Sequence, residues 1–188
     1  MKATSLLITP VLVLSVCLSM TFGSAARATE VDKAVAQATL VKVRQAAPDF
    51  TCTTTDGRTI TLSALKGKAV VLYFFSTSVG ACITELKYLE KVVFQKLQNR
   101  DDFKLIAIGR GHSREELVKV GGENKLTFPL VADPKQDLYQ RYFNKYVPRT
   151  VVVRKDGSIA YLASGYREFD GTLELQVVLQ GVLADKAN

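Results

Sequence analysis

The sequence predicts an α/β sandwich with a mixed central sheet, helices on both faces and an N-terminal β-hairpin. Three observations carry this expectation. Two apolar runs of strand length, "KAVVLYFFS" at 68–76 and "FKLIAIG" at 103–109, have the unbroken hydrophobicity of strands buried on both faces. Segments of helical period alternate with them, as in a layered α/β domain. Asp-Gly turn signals, Asp56-Gly57 and Asp156-Gly157, divide alternating segments near both ends of the domain.

The chain opens with Lys2 and an apolar run from Leu6 to Phe22, followed by the small-residue stretch "GSAARATE". Ala26-Arg27-Ala28 fits an A-x-A cleavage site, which predicts a signal peptide over residues 1–28 and a periplasmic or secreted protein. Membrane contact is expected only through that segment if it is retained. Residues 29–46 read as a linker or loose helix ahead of a domain over residues 47–185.

The domain's first element is a hairpin in "APDFTCTTTDGRTITLSAL", where Phe50, Cys52 and Thr54 alternate with Thr51 and Thr53. After the strand at 68–76 the period changes. Cys82, Leu86, Leu89, Val93 and Leu97 fall at helical spacing with charges between them. Ser113 and Glu116 have capping-box spacing, so a helix starts near Arg114, and Gly121-Gly122 ends or breaks it. "TFPLVADPKQDLYQRYF" reads as a short strand and then a helix from about Lys135. "RTVVVRKDGSIAYLAS" is a second hairpin. The last segment is a closing helix with Leu173 and Val177 on a mixed face.

Composition narrows the function. The formal net charge of +7 comes from scattered basic residues, which suits solubility and not a nucleic-acid footprint. Of three cysteines, Cys17 belongs to the signal segment, and two are too few for a disulfide scaffold. The single histidine, His112, makes no metal cluster and reads as a surface-loop residue. No serine has a histidine–acid partner at a recognisable spacing, so a hydrolase is unsupported. No cofactor is expected.

Four segments together resemble the thioredoxin superfamily. They are "APDFTCTTTDGRTITLSALKGKAVVLYFFST", "VGACITEL", "FPLVADPKQDLYQRYFNKYVPRTVVVRKDGSIAY" and the closing helix, and they cover about residues 46–184. Specifically the chain resembles exported TlpA-like thiol–disulfide oxidoreductases and the related AhpC/TSA, peroxiredoxin-type proteins. The resemblance implies a thioredoxin-like sandwich, redox chemistry of the antioxidant type, and protein thiols, disulfides or peroxide as partners. The departure lies in the motif. Val79 stands where the C-x-x-C pair has its first cysteine, which leaves V-x-x-C and excludes a 79–82 disulfide. Ser78 replaces the usual tryptophan.

The resemblance also implies the site residues. Cys82 is then the only active-site thiol, and Glu85, one helical turn on, is its acid–base partner. Pro148 matches the cis-proline opposite the redox motif, and Val147 before it is the backbone that pairs with an extended substrate. In a peroxiredoxin-like register "ACITEL" resembles "VCPTEL", and Thr77 and Arg149 are the candidate donors to an activated thiolate. Two alternatives stand beside one-cysteine chemistry: a peptide-binding module that has lost the redox pair, and a Cys52–Cys82 bridge.

Overall fold

Strand β3 (Ala69–Phe75) is buried along its whole length and forms the axis of a five-stranded sheet. The structure is a computed structural model in which residues 30–165 and 170–185 are described. The expected signal peptide at 1–28, with Cys17, lies outside the described residues. The chain divides into two units, Met1–Ala36 and Gln37–Asn188. Residues 30–37 are helical (α1) and carry the described part of the first unit.

In the second unit the sheet order is β5-β4-β3-β6-β7. Strands β4 (Phe103–Arg110) and β5 (Leu130–Asp133) run parallel to β3, β6 (Arg149–Val153) runs antiparallel to β3, and β7 (Ile159–Ser164) pairs antiparallel with β6. A separate hairpin, β1 (Thr51–Thr53) and β2 (Thr59–Thr61), precedes them. The sheet is therefore mixed, as the sequence predicts.

The two-residue period of β3 sorts the core into two layers. Ala69, Val71, Tyr73 and Phe75 face one cluster. It is covered by α2 (Gly80–Tyr88), α4 (Arg114–Glu123) and α5 (Asp170–Ala184), through Cys82, Leu86, Leu117, Leu175, Leu179 and Val182. Val70, Leu72 and Phe74 face the other cluster, with Phe50, Leu62, Tyr139, Tyr142 and Phe143. There the cover is the hairpin, the 3-10 turns Leu62–Leu65 and Tyr139–Arg141, and the segment ahead of the hairpin.

Several elements differ from the sequence reading for local reasons. Helix α2 continues through a π-helical turn, Leu89–Phe94, into α3 (Gln95–Leu97). At that wider turn Glu90 lies buried, and its carboxylate accepts from the Thr127 N–H (2.8 Å) and hydroxyl (2.6 Å). The capping box at Ser113–Glu116 forms, but α4 runs through Gly121 and Gly122. Gly121 serves packing instead, because a Cβ there would stand 2.9 Å from Leu130 Cδ1. No helix starts at Lys135. The Asp133 carboxylate accepts the Leu138 and Tyr139 N–H groups (3.2 and 2.8 Å), and Gln136 takes a left-handed φ of 63°. In α5, Leu173 and Val177 are the exposed side, and the buried stripe is Leu175, Leu179 and Val182. Residues 38–46 dock on the domain. Ala38 and Val41 are buried, the Leu40 N–H donates to the Tyr142 carbonyl (2.9 Å), and the Arg44 N–H donates to that of Ile159 (2.8 Å).

Gly109 on β4 lies beside Phe75 and lets α4 approach the sheet, since a Cβ there would stand 2.7 Å from Leu117 Cδ2. Gly109→Ala is expected to cost about 1–3 kcal/mol of stability by overpacking. Denaturant unfolding measures this, and an unchanged midpoint contradicts the proposed close contact.

Candidate thiol site

Strand β3 ends at Phe75, and residues 76–79 turn the chain into α2. Val79 is the N-cap, with extended backbone (φ −112°, ψ 107°) and no side-chain cap bond. Its N–H donates to the Ser76 carbonyl (3.2 Å), and its own carbonyl accepts the Cys82 N–H (2.9 Å). Cys82 therefore sits in the first turn of the helix. The Val79 side chain packs against the helical-face core.

Cys82 is 0% exposed. A helix N-terminus generally favours a thiolate. Here burial pushes the thiol above its ordinary value of 9.0, and the charge of Glu85 pushes the same way. The Ser76 backbone N–H and the Tyr73 hydroxyl act in the opposite direction without overcoming burial. The resting sulfur is a protonated thiol.

Glu85 joins the helix to two strands. The Tyr73 hydroxyl, on β3, is directed at the Cys82 carbonyl (3.1 Å) and at Glu85 Oε2 (3.3 Å). The Thr150 hydroxyl, on β6, donates to Glu85 Oε1 (3.5 Å). Burial raises the Glu85 carboxyl to about 7, and the two hydroxyls only temper that rise. Burial also holds the Tyr73 phenol well above its usual range, and the Glu85 charge adds to it. A carboxyl that changes protonation near neutrality is suited to proton transfer.

The Val147–Pro148 peptide is cis. Val147 packs against the cluster that contains Cys82, and among the described residues its N–H and C=O make no hydrogen bond. Pro148 is buried, and its carbonyl accepts the Gly165 N–H (3.0 Å). Thr150, two residues on, ties this loop to Glu85. The fold thus brings Cys82, Glu85, Val147 and Pro148 to one end of the sheet.

Arg149 does not join them. It pairs with Phe74, so it faces the opposite layer, where its guanidinium lies 4.6 Å from the Phe143 ring centroid. The two-residue period of β6 separates it from Cys82. Cys52 is on that opposite layer too, half-buried and packed with its core. Both cysteines are free, and the sheet between them excludes the Cys52–Cys82 bridge. Burial pushes the Cys52 thiol to about 11.

Thr77 is at the site, but its partner is unexpected. Its N–H donates to His112 Nε2 (3.1 Å), and its hydroxyl lies 3.4 Å from the same nitrogen. His112, read from sequence as a surface-loop residue, is tucked against this turn with its side chain 12% exposed. Sequence reasoning missed His112, Tyr73 and Thr150. A usable signal existed. His112 follows β4 as Thr77 follows β3, and loops after neighbouring parallel strands lie side by side.

The AhpC/TSA family model matches residues 43–162. The thiol-disulfide oxidoreductase ResA of Geobacillus thermodenitrificans is 28% identical over 129 residues, covering 68% of this chain and 72% of that protein. A solved Bacteroides thetaiotaomicron protein, described as a candidate protein disulfide isomerase, is 32% identical. It matches with a TM-score of 0.73 over 78% of this chain and 93% of its own. A Chlorobium tepidum structure, described as a candidate thiol:disulfide interchange protein DsbE, has a TM-score of 0.67 at 21% identity, covering 77% of this chain and 99% of its own. The last similarity speaks to the fold alone, a thioredoxin-like sandwich.

The raised Glu85 carboxyl has a consequence for stability. The native state holds a proton that the unfolded chain releases above 4.5, so Glu85's contribution is full below that pH and is lost as pH rises through about 7. Glu85→Gln is expected to flatten that fall, as measured by denaturant unfolding across the window. A variant that keeps the wild-type slope contradicts the assignment.

Proposed function

This chain is a member of the AhpC/TSA family, and on that footing we propose that it is a thioredoxin-fold thiol–disulfide oxidoreductase reduced to one working sulfur, Cys82, which acts on protein thiols and disulfides. The observation that carries the reading is the trio of Tyr73, Thr150 and the part-buried Glu85 held against the first turn of α2, a proton acceptor beside a lone thiol. A partner segment in extended form pairs with the Val147 backbone. Cys82 gives its proton to the Glu85 carboxylate, and the thiolate attacks one sulfur of the partner disulfide. That S–S bond breaks, a mixed disulfide forms, and the other partner sulfur leaves as thiolate. Val79 supplies no resolving attack, so an external thiol must reduce the mixed disulfide.

Burial and the raised thiol make exchange slow until the first turn of α2 opens. The same features weigh against peroxide as substrate, because a peroxidatic cysteine works as an exposed thiolate. The signal-like residues 1–28 support export to the periplasm or beyond. A second reading, a binding module that uses the Val147–Pro148 edge without turnover, draws support from the 0% exposure of Cys82.

The test is trapping. Folded protein held with excess disulfide peptide is expected to accumulate a mixed disulfide at Cys82, seen by mass, and Cys82→Ser is expected to abolish it. Absence of any adduct from the folded wild type leaves the binding-module reading. A repair variant probes the same geometry. Val79 and Cys82 are joined through a 2.9 Å backbone bond across one turn, so Val79→Cys is expected to form a 79–82 disulfide under mild oxidation, with the loss of two hydrogens in mass. A variant that stays reduced contradicts the placement of α2's first turn.

A further inference from the structure

One backbone N–H and two hydroxyls converge on one ring nitrogen at the tip of the sheet. His112 Nε2 accepts the Thr77 N–H at 3.1 Å, with Ser76 Oγ at 3.3 Å and Thr77 Oγ1 at 3.4 Å. Ser76 Oγ also meets Ser78 Oγ at 2.9 Å. The ring stacks on Phe75, with centroids 6.2 Å apart and planes within 20°. On its far side Nδ1 lies 3.4 Å from Glu116 Oε2. That carboxylate is itself fixed, accepting the Ser113 N–H (2.8 Å) in the capping box of α4.

The hydrogen-bond directions assign the tautomer. A backbone N–H only donates, so Nε2 carries no proton, and the ring proton is on Nδ1 facing Glu116. Ser76, His112 and Glu116 follow the order of a hydrolytic triad, which no sequence spacing announced. The Thr77 N–H already occupies the Nε2 lone pair, however, so the ring holds the turn and is not free to take a serine proton.

The held turn leads to Cys82 bond by bond. The Ser76 carbonyl accepts the Val79 N–H, and the Val79 carbonyl accepts the Cys82 N–H. We propose that His112 is a positioning residue for the thiol site: it clamps Ser76 and Thr77 to the loop after β4, and loss of that clamp loosens the turn and uncovers Cys82. The proposal rests on the reading of Cys82 as the working sulfur. Among the described residues Glu116 is the charged group facing the ring. Arg110 turns away onto the Tyr139 ring and Gln136, and Arg114 donates to the Thr55 carbonyl. The hydroxyls of Ser76 and Thr77 and the face of Phe75 also meet the ring.

The test compares His112→Gln, whose amide oxygen can occupy the place of Nε2, with His112→Leu, which fills the space without an acceptor. Iodoacetamide labelling of Cys82 in the folded proteins is expected to be roughly three- to tenfold faster in His112→Leu, the change one lost hydrogen bond makes in an opening equilibrium. In His112→Gln it is expected to stay near wild type. In the wild type, ¹⁵N spectra are expected to show an unprotonated Nε2, and Thr77 amide protection is expected to fall in His112→Leu. His112→Gln is expected to keep that protection. An Nε2–H tautomer, or equal labelling in all three proteins, overturns the proposal. Mixed-disulfide trapping reports separately on the reading beneath it. Fast labelling of His112→Leu without any adduct condemns the redox function and leaves the clamp standing.

Discussion

Everything at this site follows from where the Tyr73 hydroxyl has to go. The parity of β3 points Tyr73 toward the helices, and the residue is 0% exposed. A buried hydroxyl without a partner costs about 1–3 kcal/mol, so acceptors must be close. The Cys82 carbonyl and the Glu85 carboxylate supply them. That one requirement pins the first turn of α2 to the sheet, draws a carboxyl out of water and seals the sulfur beneath. The raised Glu85 and the raised Cys82 thiol are two results of the same burial.

The site therefore holds one sulfur and no second one within reach of it on the same helix turn. The cis Val147–Pro148 loop, the Glu85 carboxyl and the helix tip lie together at one end of the sheet, and the Val79 side chain contributes only apolar packing. Polar groups grip the turn from both ends. Tyr73 and Glu85 hold the start of α2 from within the core, and His112 holds residues 76–77 from the neighbouring strand's loop. In the proposed clamp, exposure of Cys82 depends on how firmly these two grips hold, and its acidity follows from the same burial.

The sequence made the sheet legible because burial on both faces leaves a strong pattern. The runs in β3 and β4, the two Asp-Gly turns and the Ser113–Glu116 box each express one local rule, and each formed. The errors came where a specific side-chain partner overrode the expected pattern. Asp133 captured the N–H groups that a helix from Lys135 needed, and Gly121 served close packing and not termination. Cys82, Glu85 and Pro148 were readable through the resemblance in their motifs. Arg149 was misplaced because alignment by neighbourhood ignored strand parity, which sends it to the Phe143 side. His112 was invisible as a lone histidine in a polar loop, although the adjacency of parallel strands gave the means to place it beside Thr77.

The acidity of the sulfur itself is the most direct measure of this picture. Titrating the Cys82 Cβ chemical shift in the folded protein, with Cys52 replaced by serine, reads the thiol without relying on its reactivity. A midpoint above the ordinary 9.0 is expected if burial dominates. A midpoint at or below that value would mean that the helix tip and its donors stabilise a thiolate, and that the sulfur is not sealed beneath Tyr73 and Glu85.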